Sequence, residues 1–293
     1  GYDYRPGRTL SPEYEMWSGA LKGRYDLAPS ITFDAGAMYT VIKTRSRSAS
    51  EAAIYGDEYA VLDANGNAQY DANNNIIEAE LPYIASDHPF IPPEVEETRS
   101  GSISWYRRFN ELGWDEKIND RQTLRTNFGL SGDAWGDWQW KVGGTYGTYN
   151  QHQRDINEID LQALANALEV TTVGGEVVCA SAAARAEGCV PINIFGEGSI
   201  TDAMADYIRY DADLRQEREQ VTGLASANGT LFELPAGPLK AAVGLEYRRE
   251  YQRTWGQGGD KILQTTSTGV PDIEARFDVI EAFAEVDIPV IDS

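Results

Sequence analysis

The chain has 293 residues, with 46 Asp+Glu against 25 Lys+Arg and a formal charge of −21. That balance excludes nucleic acid as a partner, because a phosphate backbone is met by a Lys/Arg surface. A content of 42% hydrophobic and 11% aromatic residues is too apolar for a disordered acidic tail.

No run approaches about 18 consecutive apolar residues, so no transmembrane helix is expected. Gly1 to Arg8 is polar and lacks an apolar signal-peptide core. The absence of an initiator Met suggests a processed or excised piece. Gly 28, Tyr 16 and Trp 7 are high, which suits twisted, closely packed strands rather than a helical bundle.

The first strand expected is a weakly alternating one over 13–25, and Leu27-Ala28-Pro29 turns it back. The second, over 30–44, alternates cleanly, with Ile31, Phe33, Ala35, Ala37, Tyr39 and Val41 on one face. A long connection, 46–120, follows. Its 47–97 stretch holds 11 acidic residues and one basic.

Within it, Asp63-Ala-Asn65-Gly66-Asn67 and Asp71-Ala-Asn73-Asn74-Asn75 recur eight residues apart. As calcium loops they fail on the glycine position and on the missing bidentate Glu. They read better as tight hairpin turns. Gly101 to Phe109 is strand-like and is expected to be a loop hairpin rather than a crossing, since a crossing would reverse the loop order downstream.

Strands are next expected over 122–131 and 138–149, joined by Gly132-Asp133-Ala134-Trp135-Gly136. The connection 152–217 holds 12 acidic and four basic residues. Ile156, Ile159, Leu161, Leu164 and Leu168 predict a helix near 157–169, and Thr201 is a candidate N-cap for a second. Cys179 and Cys189, ten residues apart, are expected to form a disulfide near the tip of an exposed loop; the other reading is two free thiols in a reducing compartment. The remaining strands are 219–233, 239–250 and 277–289, with a short link at 234–238 and a long connection, 254–275.

Short and long connections therefore alternate without exception, which puts all short turns at one end of a sheet and all long loops at the other. The fold class expected is all-β: an antiparallel up-and-down transmembrane β-barrel segment of about seven crossing strands, with long extracellular loops carrying short helices. All of 1–293 belongs to a single barrel domain in this reading. Trp17, Tyr25, Trp135, Trp138, Tyr146 and Tyr149 lie near strand ends, where interfacial aromatic girdles sit. An odd number of crossings cannot close a barrel alone. The competing architecture is a soluble sandwich with those aromatics in its core.

The sequence offers little chemistry. His88 and His152 stand far apart without local partners, so a zinc site is not expected. No HExxH, GxSxG or phosphate-binding Gly-Lys loop occurs, and Gly256-Gln-Gly258-Gly259 resembles a nucleotide loop only superficially. No enzyme activity, cofactor or metal is expected.

The stretch VCASAAARAEGCVPINIFGEGSITDAMADYI at 178–208 resembles a loop of TonB-dependent outer-membrane receptors. RTNFGLSGDAWGDWQWKVGGTYG, LFELPAGPLKAAVGLEYRREY and FDVIEAFAEVDIPV resemble successive barrel hairpins of that family. The likeness covers much of 121–290 and is looser over 1–120. In that family a plug precedes a barrel of about 22 strands, and neither plug nor terminal strand is visible here.

The resemblance implies energy-coupled uptake of a scarce nutrient (a siderophore, an oligosaccharide or a vitamin). The partners it implies are outer-membrane lipid, the TonB complex through the missing plug, and a small ligand at the extracellular face. The location it implies is the outer membrane of a Gram-negative bacterium. The alternative function is a soluble β-rich module that recognises glycans through exposed Trp and Tyr.

Overall fold

The computed structural model describes residues 7–96, 101–270 and 272–291; the opening polar segment, 1–6, lies outside them. Seven long strands form one antiparallel sheet: β1 (Glu13–Ala28), β2 (Ile31–Arg47), β3 (Glu116–Asp133), β4 (Gln139–Ile159), β5 (Arg209–Leu234), β6 (Gly237–Gln257) and β7 (Ile273–Asp287). Each pairs with the next in sequence, and the sheet is open, with β1 and β7 at its edges. No described helix is long and apolar enough to cross a membrane, which says nothing of strands.

All seven expected strands are present, and the tight turns fall together at one end. Gly136 and Gly237 serve two of these turns with φ of 62° and 128°, a region that glycine enters without steric cost. The strands run further than the alternation indicated, so the long connections shrink to 48–115, 160–208 and 258–272. The expected 46–120, 152–217 and 254–275 are thereby corrected. β4 continues to Ile159, and the helix expected near 157–169 begins only at Leu161.

The register shows why these residues form a sheet. Directly paired residues in an antiparallel ladder share a face. Tyr25, Phe33, Leu130, Val142, Ala225, Leu245 and Ala282 thus form one row across all seven strands. On the other face, Lys22, Gly36, Asn127, Thr145, Thr222 and Arg248 form a polar row. The apolar face is not covered: Leu21 is 77% exposed and Ile280 is 79% exposed.

Burial is concentrated elsewhere. The three long connections fold together into a cap at the far end of the sheet, and its core holds Leu81, Ile84, Phe109, Leu164, Ile192 and Ile208. Helix α1 (Leu161–Leu168) turns Leu161, Leu164 and Leu168 into that core, at spacings of one helical face. Asp160 caps it, accepting from the Ala163 N–H at 3.0 Å. Helix α2 (Asp202–Ile208) starts at Thr201, the expected N-cap, whose hydroxyl accepts from the Met204 N–H at 3.4 Å. Within the first connection, Tyr106–Arg108 pairs with Ala52–Ile54. The Gly101–Phe109 segment is therefore part of the loop and not a crossing, although its partner strand lies far back in the same connection rather than across a hairpin turn.

Cys179 and Cys189 are bonded. The bridge is not at an exposed tip, as expected, because Cys179 is fully buried at the end of the hairpin Val170–Val173/Glu176–Cys179. Arg185 Nη1 donates to the Cys179 carbonyl at 2.6 Å, so the bridge and this bond together fasten the hairpin to the helical turn Ala182–Ala186. Replacing both cysteines with Ser should lower the stability of the cap by about 2–3 kcal/mol, from the loop entropy of the ten-residue separation. Hydrogen exchange of 170–192 against that of β3 and β4 checks this, with the loss confined to the cap.

Candidate functional site

Two places on the molecule have the makings of a site: a cavity on the polar face of the sheet, and the joint between sheet and cap.

The cavity has a volume of about 560 Å³ and is walled by Arg125, Tyr149, Arg218, Glu250, Gln252 and Phe277. The register explains its floor. Gly147 stands between Arg125 of β3 and Gln220 of β5, so no side chain fills the centre. Arg218 lies over the Tyr149 ring at 5.8 Å from its centroid. Gln220 Nε2 donates to Glu250 Oε1 at 3.2 Å. Guanidinium, carboxylate, amide and aromatic faces together can hold a polar ligand by hydrogen bonds and stacking.

This places Tyr149 differently from the expectation. It lies three residues from Tyr146, so the two point to opposite faces. Trp17, Tyr25 and Tyr146 are on the apolar face, whereas Tyr149 lines the polar cavity. Trp135 and Trp138 sit in the tight turn, with ring centroids 6.0 Å apart, and Trp138 Nε1 donates to the Thr230 carbonyl at 2.9 Å.

At the joint, Glu51 of the first connection, Asp115 just before β3 and Glu158 near the end of β4 bring carboxylate oxygens within 4.8 Å of one another. Glu158 is 6% exposed. Burial, then the neighbouring Glu51, pushes its carboxyl up to about 7. Burial also raises Glu51 and Asp115. Thr266 of the third connection donates from Oγ1 to Glu158 Oε2 at 2.8 Å and accepts from the Ile159 N–H at 2.9 Å. These residues are far apart in sequence, and no motif announces them.

The remaining candidates are accounted for locally. Asp63 Oδ1 accepts from the Asn65 and Asn67 N–H groups at 2.8 and 2.9 Å, and Asp71 Oδ1 accepts from Asn73 and Asn75, both at 2.8 Å. Each aspartate thus closes its own turn, as the hairpin reading required. His88 is buried in the cap, its Nε2 3.1 Å from the Leu168 carbonyl, and burial holds its imidazole below the ordinary value. His152 pairs with Asp213 on the strands. A short 3₁₀ helix, Gly259–Gln264, follows Gly258, where no helix pattern was expected.

No protein-family model matches the chain, and no curated protein matches it. Among solved structures it is similar to the siderophore receptor PiuA from Acinetobacter baumannii, at 13% identity and a TM-score of 0.34. The likeness covers 93% of this chain and 29% of that receptor, so the chain spans less than a third of the receptor's length. A likeness this distant says nothing of function.

Proposed function

We propose that the chain is a run of wall strands and outer loops of a transmembrane β-barrel in the outer membrane of a Gram-negative bacterium. In this reading it serves a TonB-dependent receptor that takes up a small nutrient, energised through the TonB complex.

One observation carries the membrane part. The apolar face has no charged residue between the tight turns and an upper limit set by Trp17, Val41, Leu124, Tyr146, Val221, Tyr247 and Ile280. Immediately beyond that limit every strand turns polar, with Gln122 and Thr148 on β3 and β4 and a charged residue on the other five, as in the Arg249–Asp278 pair at 2.7 Å. Traced through the register, the limit falls from the Val41 row at β1 to the Ala35 row at β6 and β7, six residues over six strand steps. At about 3.3 Å per residue and about 4.8 Å between strands, that is a slope of about 35°. Strands of outer-membrane barrels tilt by about 35–45°. A diagonal limit in the register is therefore a level limit in space, which is what a flat bilayer demands of tilted strands.

Cell fractionation tests this. The intact protein should sediment with outer membranes and need detergent for release. Recovery in solution without detergent would favour the soluble glycan-binding module instead.

The ligand class follows from charge. The 47–97 and 152–217 stretches are strongly acidic, so a bare polyanion meets repulsion at the mouth. A neutral or cationic ligand, or a chelate with masked charge, fits better, with a carbohydrate or neutral siderophore complex favoured. Binding at low and high salt checks this: a polyanion that binds tightly at low salt and weakens as salt rises would contradict it.

A further inference from the structure

The joint between cap and sheet has a property independent of any transport role. Three carboxylates meet there, each delivered by a different piece of chain. The third connection is tied to the same spot twice: by the Thr266 hydroxyl on Glu158 at 2.8 Å and by the Thr266 N–H donating to the Ile159 carbonyl at 2.9 Å.

Like charges this close, and partly withdrawn from water, repel strongly. The neighbours do not cancel them. From the first connection come Glu51 and Arg108, the latter bonded to the Ser50 carbonyl. From β3 and its approach come Asp115, Glu116 and Lys117; Glu116 is taken by Arg45 and Arg47, and Lys117 lies 3.7 Å from Asp155. From β4 come Asp155 and Glu158. Four acids not engaged by the Arg45/Arg47 pair, Glu51, Asp115, Asp155 and Glu158, thus face two cations, Lys117 and Arg108. Asp115 Oδ1 is also buried with no hydrogen-bond partner, an acceptor lacking a donor.

We propose that this joint is a proton-operated latch: a proton shared among Glu51, Asp115 and Glu158 holds the first and third connections onto the ends of β3 and β4, and its loss lets them part. A proton held by the cluster removes one of the repelling charges.

The direction with pH is fixed by linkage. Glu158 binds its proton more tightly in the closed cap than in an opened one, with its carboxyl at about 7 against an ordinary 4.5. The latch is fully closed below the ordinary value and is lost as pH rises through about 7.

Hydrogen exchange on the intact protein tests this, after correction for the intrinsic pH dependence of exchange. Opening of 49–53 and 262–268 should rise roughly tenfold or more between about pH 5.5 and about pH 8.5, while the tight-turn ends of β3 and β4 stay unchanged. Glu158→Gln, which carries its own hydrogen-bond donor, should keep the joint closed and flatten the profile. Asp115→Asn, judged by the same flattening, serves if the first variant does not fold.

A flat wild-type profile would overturn the proposal, as would a variant profile as steep as wild type.

Discussion

Val142→Arg should destabilise the protein in a bilayer by about 2–4 kcal/mol, the cost of an arginine on the lipid face of a barrel near the midplane. Val142 lies mid-band on β4, between Leu130 of β3 and Ala225 of β5, with its side chain nearly half exposed. Asn127→Arg is the matched control. Asn127 is exposed on the opposite face of the same sheet, between Gly36 and Thr145, and the same side chain there should cost no more than about 0.5 kcal/mol. Urea unfolding in lipid vesicles measures both. Equal effects at the two positions would mean that the apolar band does not face lipid, and the membrane reading would fall with it.

Phe109→Ala should be the most damaging change in the cap, at about 3–5 kcal/mol. Its side chain is fully buried, and Arg107 stacks over the ring at 5.8 Å. Its N–H donates to the Glu51 carbonyl at 2.8 Å, and its own carbonyl accepts from Leu112 at 3.1 Å. Removing the ring leaves a cavity in the middle of the cap core, where Leu81, Ile84 and Leu164 cannot all collapse inward. Limited proteolysis should show rapid cleavage in 48–115 and 160–208, while the strands keep their protection. Loss of protection along β3 and β4 as well would show that sheet and cap unfold as one unit.

The period of two made the sheet legible. Ile31 to Val41 (Met38 apart), Trp140 to Tyr146 and Ala241 to Tyr247 each alternate an apolar with a polar or small residue, because one face must differ chemically from the other. Beyond the band both faces are polar, as in Thr44 to Arg47 or Gln151 to Asp155, so alternation disappears although the hydrogen-bonded ladder continues. That is why the strands read short. Tyr149 could have been placed by parity with Tyr146, but treating it as a girdle residue by its position near a strand end set that parity aside.

In the cap, the helix spacing of Leu161, Leu164 and Leu168 and the cap residue Thr201 were visible, since both are local signals. What those helices pack against was not. Phe109 and Leu81 reach the core through loop paths without periodicity. The carboxylate joint was the least legible of all. Glu51, Asp115 and Glu158 meet only because β3 and β4 end side by side with the first connection folded over them. In so acidic a chain no single glutamate is conspicuous.

The cap also dictates an order of assembly. Its core draws on residues from Ala53 to Ile208, and the third connection adds Gln264, which donates to the Ala60 carbonyl at 3.1 Å, and Asp260, which accepts from the Ala68 N–H at 2.7 Å. Contacts so remote along the chain carry a large loop-closure entropy unless something already holds their ends together. Only the ladder does that, by bringing the upper ends of β2 to β6 side by side. Nucleation therefore belongs to the three tight hairpins, whose partners are neighbours in sequence, and the cap condenses last, on a sheet already in register.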